Sequence, residues 1–170
     1  MIKIENETAL ENIPSECQDL FPKIIEAYKN QFSNNILEIR LLGSVPRGDL
    51  IEDVSDIDFL CILKGNTKCK KPQIFSDIES ELQCYFPLVQ KFDLDVTNEN
   101  YIEQNFDYKL LIMTDSIAIY GSNLYWVDSY EISADKLASL WNPDSNELMK
   151  KYSEWIFTAE NNEVISNTTN

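Results

Sequence analysis

The sequence predicts an α/β (α+β) fold, with helices flanking one sheet and a short C-terminal helical segment after it. Apolar runs of strand length recur at 36–42, 56–63, 88–96 and 116–120, and apolar residues at helical spacing fill the intervals. No internal repeat and no long linker interrupts this succession. The chain therefore reads as a core over 1–125, a helical extension over 126–161 packed on that core, and a tail over 162–170 that frays. A chain of 170 residues can bury a sizeable core, and 44% hydrophobic with 25% charged residues excludes a disordered polymer.

The elements follow in order. After a polar opening, Pro14-Ser15 marks a helix start, with Ser15 as N-cap and Gln18 in the capping-box position. Leu20, Phe21, Ile24, Ile25, Tyr28 and Phe32 keep helical spacing, so this helix lies against the sheet. Asn34-Asn35 turns the chain into a buried strand over Ile36 to Leu42, whose closing run Ile39 to Leu42 is broken only by Arg40. A Gly43-Ser44 turn and a polar loop lead to a second strand, Asp56 to Leu63. Lys64 to Pro72 is a basic surface loop in which Lys68, Lys70 and Lys71 suggest phosphate ligands, although a solvated loop is the more frequent explanation. Gln73 to Phe86 reads as a helix that Pro87 stops, Leu88 to Val96 as a strand, and Asn98 to Met113 as helix in two pieces. Ser116 to Tyr120 is a short strand ended by Gly121, and helical spacing resumes from Ser133, with a break at Asn142-Pro143. The three tryptophans all follow residue 125, where packing of this helical segment is their ordinary use and an aromatic docking face the rarer one.

Chemistry concentrates between Ile39 and Leu63. A strand made of Ile, Phe, Leu and Cys gains nothing in packing from two carboxylates at its start. Side chains two apart share a face, so Asp56 and Asp58 point the same way. Such a pair at a strand mouth suits a hard divalent cation. The glycine of Gly43-Ser44 permits close approach of backbone to a ligand. Arg47 is either a cation for phosphate or a surface arginine paired with Asp49 or Asp53. On the strand at 88–96, Asp93 and Asp95 share one face, and Phe92, Leu94 and Val96 take the other. A half-exposed strand with an acidic outer face is the ordinary explanation for that pattern taken alone.

The run G-S-x-x-R-G followed by S-D-I-D-F-L resembles the signature of the nucleotidyltransferase superfamily that includes DNA polymerase beta. It is most similar to the small bacterial members, aminoglycoside adenylyltransferases and the minimal nucleotidyltransferases paired with helical toxins. The resemblance covers about Arg40 to Leu63 closely and reaches more weakly to Leu124. It implies a mixed nucleotidyltransferase-type sheet and a Mg²⁺-dependent transfer of a nucleoside monophosphate, AMP from ATP above all. Two Mg²⁺ ions and ATP or another nucleoside triphosphate are the implied cofactors. Asp56 and Asp58 would bridge both ions, and Asp95 would complete the one that activates the acceptor hydroxyl and take its proton. Asp95 is preferred over Asp93 because Asp95-Val96-Thr97 resembles the acidic-Val-Thr stretch of adenylyltransferases. Gly43, Ser44 and Arg47 would bind the nucleotide's phosphates.

Composition narrows the partners. Lys+Arg 14 against Asp+Glu 29 gives a net charge of −15, which opposes binding to nucleic acid or an anionic membrane and attracts a cationic small molecule or a basic protein acceptor. With no histidine, imidazole catalysis and His-ligated zinc are excluded. Cys17, Cys61, Cys69 and Cys84 lack C-x-x-C spacing and read as reduced cysteines. The N-terminus has no signal-peptide core and no run is long enough to span a membrane, so a cytoplasmic protein is expected. The acceptor site is expected to be shallow, completed by a partner subunit or homodimer, or aimed at a protein. The competing reading is a non-catalytic module of the same fold that binds a partner protein.

Overall fold

The structure is a computed structural model that describes residues 1–141. The part of the expected 126–161 helical extension that follows residue 141, and the tail over 162–170, lie outside the described residues. The chain divides into two compact units, one of Ile4–Tyr130 and one that takes in Met1–Lys3 and the chain from Glu131. In the second, the described helix is α7, Ala134–Trp141, where Ser133 Oγ accepts from the Lys136 amide at 3.2 Å.

The larger unit is built on a four-stranded sheet. Its strands are β2 (Ile36–Leu42), β3 (Ile57–Leu63), β4 (Phe92–Asn98) and β5 (Ser116–Tyr120), in the spatial order β4-β3-β2-β5. β2 runs antiparallel to β3 and to β5, and β3 runs parallel to β4, so the sheet is mixed as expected. The parallel pair needs a crossover, which α4 (Ile74–Tyr85) supplies. β1 (Ile2–Glu5) and β6 (Ser129–Ile132) form a separate two-stranded sheet. Both are only four residues long, and although Ile2 and Ile4 alternate with Lys3 and Glu5, so short a run does not mark a strand in the sequence.

Alternation gives the sheet two faces. Ile39, Leu41, Ile57, Phe59, Cys61 and Leu94 bury one face under α2 (Phe21–Phe32) and α4, through Ile24, Tyr28, Phe75 and Leu82. Each large apolar side chain buried this way stabilises the fold by about 1.5–3 kcal/mol. The Tyr28 hydroxyl lies 3.1 Å from the Phe59 carbonyl and 3.0 Å from that of Asp95, joining helix to sheet. Leu60 and Ile62 bury the other face against Ile102 of α5 (Glu99–Gln104) and Ile112 of α6 (Phe106–Thr114).

Arg40 does more than interrupt an apolar run. It is fully buried, pairs with the equally buried Glu38 at 2.5 Å, and donates to the Ser116 hydroxyl at 2.7 Å and carbonyl at 3.1 Å. Glu38 also accepts from the Leu124 amide. Burying two charges is tolerable only when their bonding capacity is met, and here β2, β5 and the following turn meet it. Gly121 makes that turn possible, because a Cβ there would stand 2.6 Å from the Leu37 carbonyl.

Local expectations needed correction at several places. α1 is Ser15–Gln18, and the capping box does not form. The Pro14 carbonyl already accepts from the Cys17 and Gln18 backbone amides, while the Ser15 hydroxyl donates to Glu16 and Gln18 Nε2 turns back to donate to the Ile13 carbonyl. The helix restarts as α2 with Pro22 in its first turn, where a missing N–H costs nothing. β4 begins at Phe92 rather than Leu88, because the Leu88 carbonyl and Gln90 amide bond the loop residues Asp53 and Ser55. It then runs on to Asn98, whose side chain caps α5 by accepting from the Tyr101 amide at 2.8 Å.

Candidate active site

Gly43 ends β2 with φ 78° and ψ −141°, a conformation that side chains disfavour, and α3 (Ser44–Arg47) follows at once. Leu42 is the register partner of Asp58, so this turn lies beside the start of β3. The turn is tied down on two sides. The Gly43 amide donates to the Asp115 carbonyl at 3.0 Å, and the Pro46 carbonyl accepts from the Ala9 amide at 2.9 Å and from Asn12 Nδ2 at 3.3 Å. Of the partners weighed for Arg47, the structure pairs it with Asp49 at 3.1 Å and not with Asp53, and adds Asp115, which no local pattern indicated.

Asp56 immediately precedes β3 and Asp58 is its second residue. The β3–β4 register sets Asp58 opposite Asp93 and Leu60 opposite Asp95. Both acids of β4 therefore share the Asp58 face, but Asp93 stands level with the strand mouth and Asp95 one repeat farther on, roughly 6.6 Å. Asp95 is also the more exposed, its side chain being 62% accessible against 29% for Asp93.

Two lysines occupy this corner. Lys71 Nζ lies 2.6 Å from Asp93, 2.7 Å from Glu79 and 3.7 Å from Asp95. Glu79 in turn accepts from the Leu94 amide at 2.7 Å, covering the outer edge of β4. Lys91 Nζ lies 3.3 Å from Asp93 and 3.8 Å from Asp56. Of the three lysines considered in the basic loop, Lys71 is thus held by carboxylates, while Lys68 and Lys70 are exposed. Lys91, just before β4, carried no signal of its own.

The charges explain the titration. Burial, and then the neighbouring Asp56 and Asp93 carboxylates, push Asp58 above its ordinary range. Burial followed by Asp93 raises Asp95 as well. For Asp93 burial acts upward, but bonds and charge from Lys71 and Lys91 outweigh it and hold the group low. The fold thus binds the Asp58 proton more tightly than the unfolded chain does. The stability contributed by that proton is present below the ordinary value of 3.8 and is lost as pH rises through the folded value. At neutral pH without metal the ionised Asp58 is a cost. We expect Asp58→Asn to raise the metal-free melting temperature by about 2–4 °C, checked by calorimetric scans at pH 7, with the gain vanishing near pH 3.

A hard cation fits these residues. The donors are all carboxylate oxygens, and Asp56 Oδ1 is buried without a hydrogen-bond partner. Among the described residues no three acids or cysteines are gathered closely enough to hold a metal as they stand. Lys71 and Lys91 instead supply the positive charge at Asp93. No helix among the described residues is long and apolar enough to cross a membrane.

Several solved structures are similar to the chain. One is a crystal structure of a toxin–antitoxin with AMP-PNP, at 13% identity and TM-score 0.39, covering 81% of this chain and 95% of that one. Another holds a tri-AMPylated HEPN toxin of Shewanella oneidensis in complex with an MNT antitoxin, at 14% identity and TM-score 0.39, covering 84% and 96%. No curated protein matches the chain. Residues 21–111, more than half the chain, match the family described as the nucleotidyltransferase domain, and they include the Gly43-Ser44 turn, Asp56, Asp58 and both acids of β4. The chain belongs to the nucleotidyltransferase domain family and is a nucleotidyltransferase.

Proposed function

We propose that this nucleotidyltransferase moves AMP from ATP onto a hydroxyl of a cationic acceptor, a small molecule or a basic protein, with Mg²⁺: the hydroxyl oxygen bonds the alpha phosphorus and gives up its proton, and pyrophosphate leaves. The observation that carries the reading is the buried, unpartnered Asp56 Oδ1 beside Asp58, next to the Gly43-Ser44 turn. Asp56 and Asp58 would hold two Mg²⁺ ions. The register favours Asp93 as the third carboxylate, although Asp95 is the one the sequence resemblance prefers. Bound Mg²⁺ neutralises phosphate charge and makes an acceptor hydroxyl easier to deprotonate.

The chain's own residues do the rest. Gly43 shapes the turn, and Ser44 Oγ, which has no partner among the described residues, donates to a phosphate oxygen. Lys91 adds positive charge at the mouth. The net charge of −15 gathers a cationic acceptor from solution.

The test uses labelled ATP and Mg²⁺ with an aminoglycoside panel in one arm and a lysate resolved by mass in the other. Label on one aminoglycoside or one polypeptide is expected, with a rate that falls as salt shortens the screening length to about 8 Å. No transfer in either arm, with nucleotide binding intact, refutes the acceptor reading. Transfer indifferent to salt refutes its electrostatic part.

A further inference from the structure

We infer that Asp115 is a positioning residue for the nucleotide: it holds the Gly43-Ser44 turn through the Gly43 amide and through Arg47, which serves as its counter-charge and does not touch phosphate. The inference rests on the proposed reading of that turn as the nucleotide's phosphate site.

Asp115 joins α6 to β5 and is itself firmly placed. Its amide donates to the Leu111 carbonyl at 2.9 Å, and the next residue, Ser116, is held on two atoms by the buried Arg40. From that fixed point it reaches the turn twice. Its carbonyl accepts from the Gly43 amide at 3.0 Å, and its carboxylate accepts from Arg47 Nη1. The side chains of Arg47 and Asp115 are 29% and 27% accessible, whereas that of Asp49, the other partner of Arg47, is 63% accessible. The shielded pair is the stronger one, because an exposed ion pair is screened by water and salt. On the opposite side, Ala9 and Asn12 hold the Pro46 carbonyl. The residue between α6 and β5 and one short N-terminal segment thus clamp the turn between them. The Gly43 amide is engaged, and Ser44 Oγ is left to present to a ligand.

Asp49 and Asp115 take Nε and Nη1 of Arg47, and a phosphate bound by Arg47 would compete with the Asp115 carboxylate for the same charge, so the two roles predict opposite signs for Asp115→Asn. The experiment titrates wild type, Asp115→Asn, Arg47→Gln and the double variant with a non-hydrolysable ATP analogue and Mg²⁺, alongside melting curves and steady-state transfer. As a positioning pair, each single variant should weaken analogue binding about tenfold, the double variant should lose no more than either single, and the loss should fall on KM for ATP and leave kcat little changed. Asp115→Glu should recover part of the binding. If Asp115→Asn binds as well as or better than wild type while Arg47→Gln binds worse, Arg47 is itself the phosphate ligand and the inference is overturned. If Asp115→Asn does not fold, Asp115→Glu takes its place: analogue binding weaker than wild type with kcat kept supports positioning, and binding equal to or tighter than wild type overturns it. Failure of the underlying reading looks different, since wild type would then bind the analogue no better with Mg²⁺ than without, or Ser44→Ala would bind as wild type does.

Discussion

Asp56→Asn combined with Asp58→Asn is expected to lower nucleotidyl transfer by about 10³-fold or more while the protein still folds. Among the described residues Asp56 carries the one buried carboxylate oxygen with no protein partner, and Asp58 is held in the fold against burial and the like charges of Asp56, Asp93 and Asp95. Neither group improves packing, and each makes the metal-free protein less comfortable, a cost that the proposed cation binding would offset. Calorimetry should show ATP binding to wild type that strengthens with Mg²⁺ and binding to the double variant that does not. The melting temperature of the variant should not fall, because Asn removes repulsion without removing volume. A double variant that binds Mg²⁺·ATP as wild type does would mean that the metal sits elsewhere.

The second large effect separates the two acids of β4. Asp93→Asn should lose turnover by about 10²-fold or more, and Asp95→Asn should stay within about tenfold. The reason is register: Asp93 is opposite Asp58, and Asp95 is opposite Leu60, away from the mouth. Lys71 and Lys91 keep Asp93 ionised and oriented, as a metal ligand must be. Single-turnover transfer measured at saturating Mg²⁺ and ATP discriminates the pair. The reverse ranking would restore Asp95 to the role that the Asp-Val-Thr resemblance implies. It would also require β4 to sit two residues along β3 during turnover. Small, equal effects would remove β4 from the chemistry.

Much of the architecture was legible because it is written locally. The bounds of β2 and β5 follow from apolar run length, the turn after β2 from its Gly43-Ser44 pair, and the common face of Asp56 and Asp58 from strand periodicity. The capping box failed because Pro14 offers its own carbonyl to the first turn, a competition between neighbours that pattern reading does not weigh. β1 and β6 escaped because strands of four residues with mixed polarity resemble loops until a partner strand bonds them.

What the tertiary structure alone decided is every pairing across distance. Arg40 reads as an interruption until Glu38 and Ser116 surround it. Arg47 meets Asp115 across 68 residues of sequence, and no spacing rule connects them. Asp93 and Asp95 show the limit most clearly. Strand alternation repeats every two residues, so it sets both acids on one face and is unchanged when the strand slides by one repeat. Only the hydrogen bonds to β3, reached through the α4 crossover, choose which of the two stands beside Asp58.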